Sequence, residues 1–335
     1  MKGKLIDPKT LYFGQQHVGT VNLFGENYHT VPLTETPHYQ LLLGKEDIYE
    51  DYLKQSWRIK RPKSNTVTKR LKKINSFKSL LNDIKFDGLK KPIQICRRMD
   101  GKQIILDGNH RASICLYLEK SVRATEVSMK QHIKKIIKIP DERWGTARNN
   151  KPYQSIIIDN KEIVNGRRDL KDLLSRFSLI NPKDIENKNI LDVGCNYGGN
   201  CFLTAEKGAK KVVGIDFSKN LITRAIRINT MLAQNCFFKN ADFSKPNQLG
   251  DFDTLFVFSV DRHINNNKAL ADNILLNTSK IVYFETHSNR FIPNEVKEIF
   301  SKVTFLGKTG NSKRKFYRCE ISDTVYREKI VKIGG

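Results

Sequence analysis

The sequence predicts a two-domain α/β protein, with a doubly wound parallel sheet in the C-terminal half and a smaller α+β domain before it. Three observations carry this. Apolar runs at 190–193, 211–215, 252–260 and 280–284 alternate with helix-length segments, the pattern of βαβ units with right-handed crossovers and strands covered on both faces. The run Asn189-Ile190-Leu191-Asp192-Val193-Gly194-Cys195-Asn196-Tyr197-Gly198-Gly199-Asn200 reads as such a strand ending in a glycine-rich turn that opens a helix. At 335 residues, 39% of them hydrophobic, the chain is long enough for two separate cores.

In chain order, 28–33 is a strand and 34–39 a loop, because Pro37 follows turn-forming residues. Glu35, His38 and Tyr39 either line a site or form an ordinary surface loop. From 64 to 84, Val67, Leu71, Ile74, Phe77, Leu80, Leu81 and Ile84 recur at helical spacing; Lys69, Arg70, Lys72, Lys73 and Lys78 occupy the other face, as phosphate contacts or as a solvated surface. A β-hairpin at 92–106 turns at Asp100-Gly101. It runs into Asp107-Gly108-Asn109-His110-Arg111 and an apolar helix at 112–118. Gly108 permits a tight turn, and the amides of the helix start make an anion seat that His110 and Arg111 can reinforce, unless the corner is only a capped helix.

A basic helix-like run and Pro140 lead through 136–150, read as the linker between domains at 1–135 and 151–335. A hairpin at 153–164 and a helix at 170–177 come next. Gln154 and Arg167 there either contact a ligand's carboxylate or belong to a docking hairpin. After the strand at 211–215, Asp216 stands 22 residues beyond Gly194, a spacing that suits a carboxylate gripping ribose hydroxyls. A helix at 219–234 and a strand at 236–239 lead to Asp242-Phe243. The next two strands deliver Asp261-Arg262-His263 and Glu285-Thr286-His287 to one rim. A last helix at 291–300 precedes strands at 303–306 and 315–321, with 307–312 as their loop. Lys313-Arg314-Lys315 is an anion contact or a solvated turn.

The glycine turn is not the dinucleotide fingerprint G-x-G-x-x-G, because Cys195 and Asn196 stand where a pyrophosphate needs a second glycine. Together with Val213-Gly214-Ile215-Asp216 it resembles the class I S-adenosylmethionine-dependent methyltransferases, over roughly 150–325. The resemblance implies a Rossmann-like seven-stranded sheet closed by an antiparallel hairpin. It implies S-adenosylmethionine as cofactor, with Asp192, Gly194, Asn196, Gly198, Asp216, Phe217, Asp242 and Phe243 as its binding residues. Asp242 would meet the adenine amino group and Phe243 the ring, unless Asp242 only caps its turn. Methyl transfer to a hydroxyl or amine requires loss of a proton, so His263 and His287 are the catalytic candidates, with Glu285 orienting one of them or acting as base. A phosphate acceptor would need no base, and Arg167 and Arg262 would position it.

The segment 89–127, with Pro92-Ile93-Gln94-Ile95 and a hairpin leading to Gly108-Asn109-His110-Arg111, resembles the ParB and sulfiredoxin-like domain, whose hallmark is P-I-x-V, a hairpin and G-x-H-R before a helix. That superfamily binds nucleotides and includes reductases, free-serine kinases and DNA-partitioning proteins. Asn109 stands where the sulfiredoxins carry their reactive cysteine, so reductase chemistry is not implied. The kinase-like branch implies Gly108, Asn109, His110 and Arg111 as nucleotide and phosphate binders, ATP or CTP with Mg2+ as ligand, and Glu35 or Asp107 as carboxylate partner.

The formal charge of +24 favours anionic partners, unless it reflects genome composition. The leading expectation is an anionic small-molecule or glycan acceptor. The alternative is a nucleic-acid methyltransferase with an N-terminal binding module, although no aromatic-interleaved basic motif or N-P-P-Y tetrapeptide is present. A sensor of S-adenosylmethionine without turnover is the third. Six cysteines form no C-x-x-C pair and read as reduced core thiols, and no metal site is expected. With no signal core and no apolar run of membrane-spanning length, the expectation is a soluble, cytoplasmic protein without membrane insertion. Oligomeric state is not legible.

Overall fold

The computed structural model describes residues 3–14, 30–60, 66–137, 152–158, 161–168, 170–264, 266–287, 290–310, 314–322, 324 and 326. The chain divides into two compact units, Met1–Ile136 with Ile226–Ala233, and Ile137–Ala225 with Gln234–Gly335.

The first unit is built on a six-stranded mixed sheet. Its strands are β1 (Lys4–Ile6), β2 (Leu11–Gly14), β3 (Thr30–Pro32), β4 (Ile93–Arg97), β5 (Gln103–Asp107) and β6 (Val122–Glu126), in the order β1-β6-β4-β5-β2-β3. Helices α1 (Pro37–Leu42), α2 (Glu46–Lys60), α3 (Val67–Asp87) and α4 (Asn109–Tyr117) supply most of its core, and α5 (Met129–Ile137) ends it. The loop expected at 34–39 is instead a short 3-10 turn followed by α1. The Thr36 side chain accepts from the Tyr39 N–H, and Pro37 occupies the first helical turn, where no N–H is needed. The hairpin β4–β5 is antiparallel as expected. Gly108, in the left-handed region at φ +100, caps α4, and a Cβ there would meet Ile93 Cγ2 at 2.5 Å.

The second unit opens with the small hairpin β7 (Ile156–Ile158) and β8 (Lys161–Val164), then α6 (Leu170–Ser178). A seven-stranded sheet follows: β9 (Asn189–Val193), β10 (Lys211–Asp216), β11 (Cys236–Asn240), β12 (Phe252–Phe258), β13 (Thr278–Glu285), β14 (Phe300–Thr309) and β15 (Arg314–Ile321). Its order is β11-β10-β9-β12-β13-β15-β14, with the first five parallel and β15 antiparallel to both neighbours. The helices are α7 (Gly199–Glu206), α8 (Lys219–Leu232), α9 (Asn267–Asn277) and the one-turn α10 (Asn294–Lys297).

Two hydrophobic clusters cover the sheet, and strand alternation sorts residues between them. Leu191, Val193, Leu255, Val257, Val282 and Phe284 face the side of α9, whereas Ile190, Phe256, Phe258 and Tyr283 face Leu173 and Phe177 of α6. The helix expected at 291–300 is confined to α10. Strand β14 runs on through Gly307 and Lys308 to Thr309, so 307–309 is strand rather than loop. All six cysteines are buried free thiols. Among the described residues no helix is long and apolar enough to cross a membrane, and no group of His, Cys, Asp and Glu has the makings of a metal site.

Candidate active site

The crevice outside the carboxyl ends of the strands, where the strand order reverses, is the expected ligand position in an open α/β sheet. A cavity of about 300 Å3 lies there in the second unit, in the range of small-molecule sites. Gly194, Asn196, Asp216, Phe217, Asp242 and Phe243 line it, as does His263. Gly194 turns the chain out of β9 at φ +74, and a side chain would drive a Cβ to 2.5 Å from Val260. The Asp216 carboxylate accepts the Asn196 N–H at 3.1 Å and the Ser218 N–H at 2.9 Å. The carboxylate so held borders the cavity at the end of β10. Asp242 Oδ1 accepts both the hydroxyl and the N–H of Ser244, which hold its pKa below the ordinary value while the small desolvation opposes them. It therefore caps its own turn and borders the cavity at once.

Two expected cofactor residues lie behind this surface. Gly198 is the left-handed cap of α7, packed against Phe238 and Phe202. Asp192, two residues on from Ile190 in β9, shares its face toward α6 and is 1% exposed. Its Oδ2 accepts the Cys201 thiol at 3.2 Å, and its Oδ1 has no hydrogen-bond partner. Burial raises its pKa to about 7, against the lowering effect of the Cys201 bond and of Arg176.

Residues 184–321 match the family model described as a methyltransferase domain. The match covers the strands β9 to β15 and the cavity at their ends. A curated relative, an uncharacterised methyltransferase of Schizosaccharomyces pombe, is 40% identical over 70 residues, 21% of this chain and 48% of its own. The chain thus spans about half the length of the curated relatives it matches. Similar solved structures include the N-terminal domain of EvdMO1 with SAH and D-fucose, at 12% identity and TM-score 0.42, covering 58% of this chain and 94% of that one. Magnesium protoporphyrin IX methyltransferase from Synechocystis PCC 6803, with bound SAM, shows 14% identity and TM-score 0.41 over 58% and 98% of the two chains. At these scores the likeness adds nothing to the sheet order already described.

The three catalytic candidates have different surroundings. His263, in the 3-10 turn after β12, is exposed at the cavity wall. His287 is half-buried, and its N–H donates to both oxygens of Asp261 at 3.2 and 3.3 Å. Glu285 alternates with Tyr283 and so points inward, 1% exposed. The Arg176 Nη2 donates to both its oxygens at 2.9 Å and Nε to Oε1 at 3.1 Å; the hydroxyls of Ser259 and Thr309 donate to it as well. Burial alone would raise its pKa, but Arg176, these hydroxyls and Arg168 outweigh it and hold the value at about 2. A carboxylate so stabilised accepts no proton at neutral pH, which removes Glu285 as base, and its oxygens are taken by Arg176, Ser259 and Thr309.

Sequence reasoning missed the guanidinium cluster around that carboxylate. Arg168 and Arg314 approach Glu285 Oε2 at 3.9 and 3.6 Å. Arg314, expected in a solvated turn or as an anion contact, begins β15 and is 8% exposed. One signal was present: Arg176 follows Leu173 by three on the apolar face of α6, a core position that an arginine takes only with a partner. Arg167 lines the cavity, with its guanidinium over the Tyr153 ring at 5.4 Å. The side chain of Arg262 lies outside the described residues.

In the first unit the expected phosphate binders have other partners. His110 Nε2 sits 2.6 Å from the Tyr49 hydroxyl, and its ring meets Phe77 and His38 edge-on at 4.6 and 4.7 Å. Burial, with Lys73 and Arg111 nearby, lowers the His110 pKa to about 3, so the imidazole is neutral and carries no charge for a phosphate. Arg111 spends Nη1 on the carbonyls of Lys91 and Pro92 and Nη2 on Asp107. Asn109 Oδ1 is buried without a hydrogen-bond partner, and Gly108 is the helix cap. His38 is not a surface residue: 2% exposed, it packs among Phe13, Tyr49 and Tyr52, while Glu35 is exposed. The cluster ties α4 to α1, α2 and α3, and an aromatic core is the structural use of the G-x-H-R motif here.

Proposed function

We propose that the second unit transfers a methyl group from S-adenosylmethionine to a small anionic acceptor, a free small molecule or a glycan-linked one. The observation that carries this reading is Asp216, fixed at the end of β10 by two backbone N–H groups and lining the cavity 22 residues beyond the Gly194 turn. It suits the two hydroxyls of a ribose. Asp242 and Phe217 would border the base, and the turn Gly194–Asn196 would let the ligand lie close to the backbone. When bound, S-adenosylmethionine supplies a methyl group on a sulfonium. Phe258, Val260 and Ile264 exclude water from the cavity wall, and His263 takes the proton of a hydroxyl or amine acceptor. Asp192 supports the turn from behind.

For the first unit we keep the ParB/sulfiredoxin-like reading of its fold alone, supported by the β4–β5 hairpin that runs into the Gly108-capped helix. Titration calorimetry with S-adenosylhomocysteine tests the cofactor reading. The full chain binds it, and Asp216→Ala weakens binding by about tenfold to a hundredfold, the loss of one or two charge-assisted hydrogen bonds. Absence of binding, or unchanged affinity in the variant, refutes it. Labelled S-adenosylmethionine incubated with fractionated extract then identifies the acceptor.

A further inference from the structure

The guanidinium cluster holds more charge than its carboxylate can neutralise. Among the described residues Arg168, Arg176 and Arg314 all pair with Glu285, three cations on one carboxylate, while burial pushes Asp192, the other carboxyl that Arg176 acts on, toward its neutral form. Arg176 is fully engaged, since its remaining nitrogen donates to Asn200 Oδ1 at 3.2 Å. Arg314 is not: its Nε and Nη1 are buried with no hydrogen-bond partner. Arg168 reaches Glu285 only at 3.9 Å, and its guanidinium lies over the Tyr153 ring at 5.0 Å. Buried donors without acceptors and buried unpaired charge are both costly, so a fold that keeps them reserves them for an anion.

The position says which anion. Asp216 and Asp242 follow β10 and β11 on one side of β9, whereas Ser259, Glu285 and Arg314 belong to the ends of β12, β13 and β15 on the other. From β10 to β13 is three strand spacings, about 14 Å. The cluster nevertheless shares a wall with the cavity. Ser259 and Tyr153 line it while the Ser259 hydroxyl donates to Glu285 and Tyr153 carries the Arg168 guanidinium.

We propose that Arg168 and Arg314 form a subsite for an anionic group, a carboxylate or phosphate, of the methyl acceptor, with Arg176 and Glu285 as the fixed base that positions them. This rests on the methyltransferase reading of the cavity. Glu285, too tightly held to act on protons, spaces the guanidinium groups and lowers the repulsion between them.

Inorganic phosphate is the probe, titrated calorimetrically into the S-adenosylhomocysteine-loaded protein. Arg314→Gln and Arg168→Gln weaken phosphate binding by about tenfold or more, as loss of a charged hydrogen-bonding partner requires, and leave S-adenosylhomocysteine affinity within about twofold. Arg314→Lys, which keeps the charge, gives an intermediate loss. Without phosphate, Arg314→Gln melts no lower than the wild type, since it relieves uncompensated charge; a guanidinium with a purely structural role would lower the melting temperature by several degrees and overturn the proposal. Unchanged phosphate affinity in both glutamine variants also overturns it. So does a tenfold loss for S-adenosylhomocysteine with none for methylthioadenosine, which lacks the amino-acid carboxylate, because the arginines would then serve the cofactor. If the wild type binds no S-adenosylhomocysteine, the cofactor reading falls, and the same phosphate titration of the free protein still decides the subsite.

Discussion

Replacing Glu285 by glutamine keeps the shape of the side chain and removes the one negative charge among three arginines. Its ordinary pKa of 4.5 falls to about 2 in the folded protein. A carboxylate whose folded pKa is depressed stabilises the fold above its unfolded pKa and loses that contribution as pH falls through the folded one. The difference of about 2.5 pH units corresponds to about 3 kcal/mol at pH 7, with less than half of it left at pH 3. Breaking a buried ion pair by removing one partner costs about 3–5 kcal/mol, the same order. Urea denaturation of wild type and Glu285→Gln at pH 7, 4.5 and 3 measures it. The expected gap is about 3 kcal/mol at the first two values and shrinks at the third. A gap below about 1 kcal/mol at pH 7, or one that stays constant down to pH 3, refutes the assignment of Glu285 as the anchor of the cluster.

Asp192 gives the opposite pH dependence. Its folded pKa, raised by burial from 3.8 to about 7, means that stability present below pH 3.8 is lost as pH rises through 7. Asp192→Asn should therefore be more stable than wild type at pH 8, by up to about 4 kcal/mol, and equal to it near pH 4; thermal melts across that range decide, and a variant less stable at pH 8 sinks the reasoning. His263→Ala should lower turnover on a hydroxyl or amine acceptor by about 100-fold to 10,000-fold with S-adenosylhomocysteine affinity unchanged. A fall in affinity that accounts for the whole loss would make His263 a binding residue instead.

The strands of the second unit were legible because parallel strands buried on both faces read as unbroken apolar runs, and Asp216 because its spacing from Gly194 is set by one βα turn. The first helix of the N-terminal unit was misread because Pro37 looks like a breaker, although the first helical turn tolerates it and Thr36 supplies the cap. Glu285 was placed at the right rim but facing the wrong way. Its alternation with Tyr283 already put it on the same face as Phe256 and Phe258, but its partner Arg176 lies 109 residues away, and no local pattern reports such a pair. The surroundings of His110 were out of reach for a related reason. A G-x-H-R motif specifies a helix start, while the neighbours that decide whether the imidazole meets phosphate or Phe77 come from α2 and α3.

The carboxylate of Glu285 is contacted from α6, the end of β12, the end of β14, the start of β15 and the segment before α6. The two backbone N–H groups that hold the Asp216 carboxylate, by contrast, belong to Asn196 and Ser218, close to it in sequence. Synthesis therefore completes Asn196, Asp216 and Ser218 well before Thr309 and Arg314 are made, and the surroundings of Glu285 close only when the final hairpin β14–β15 docks on β13.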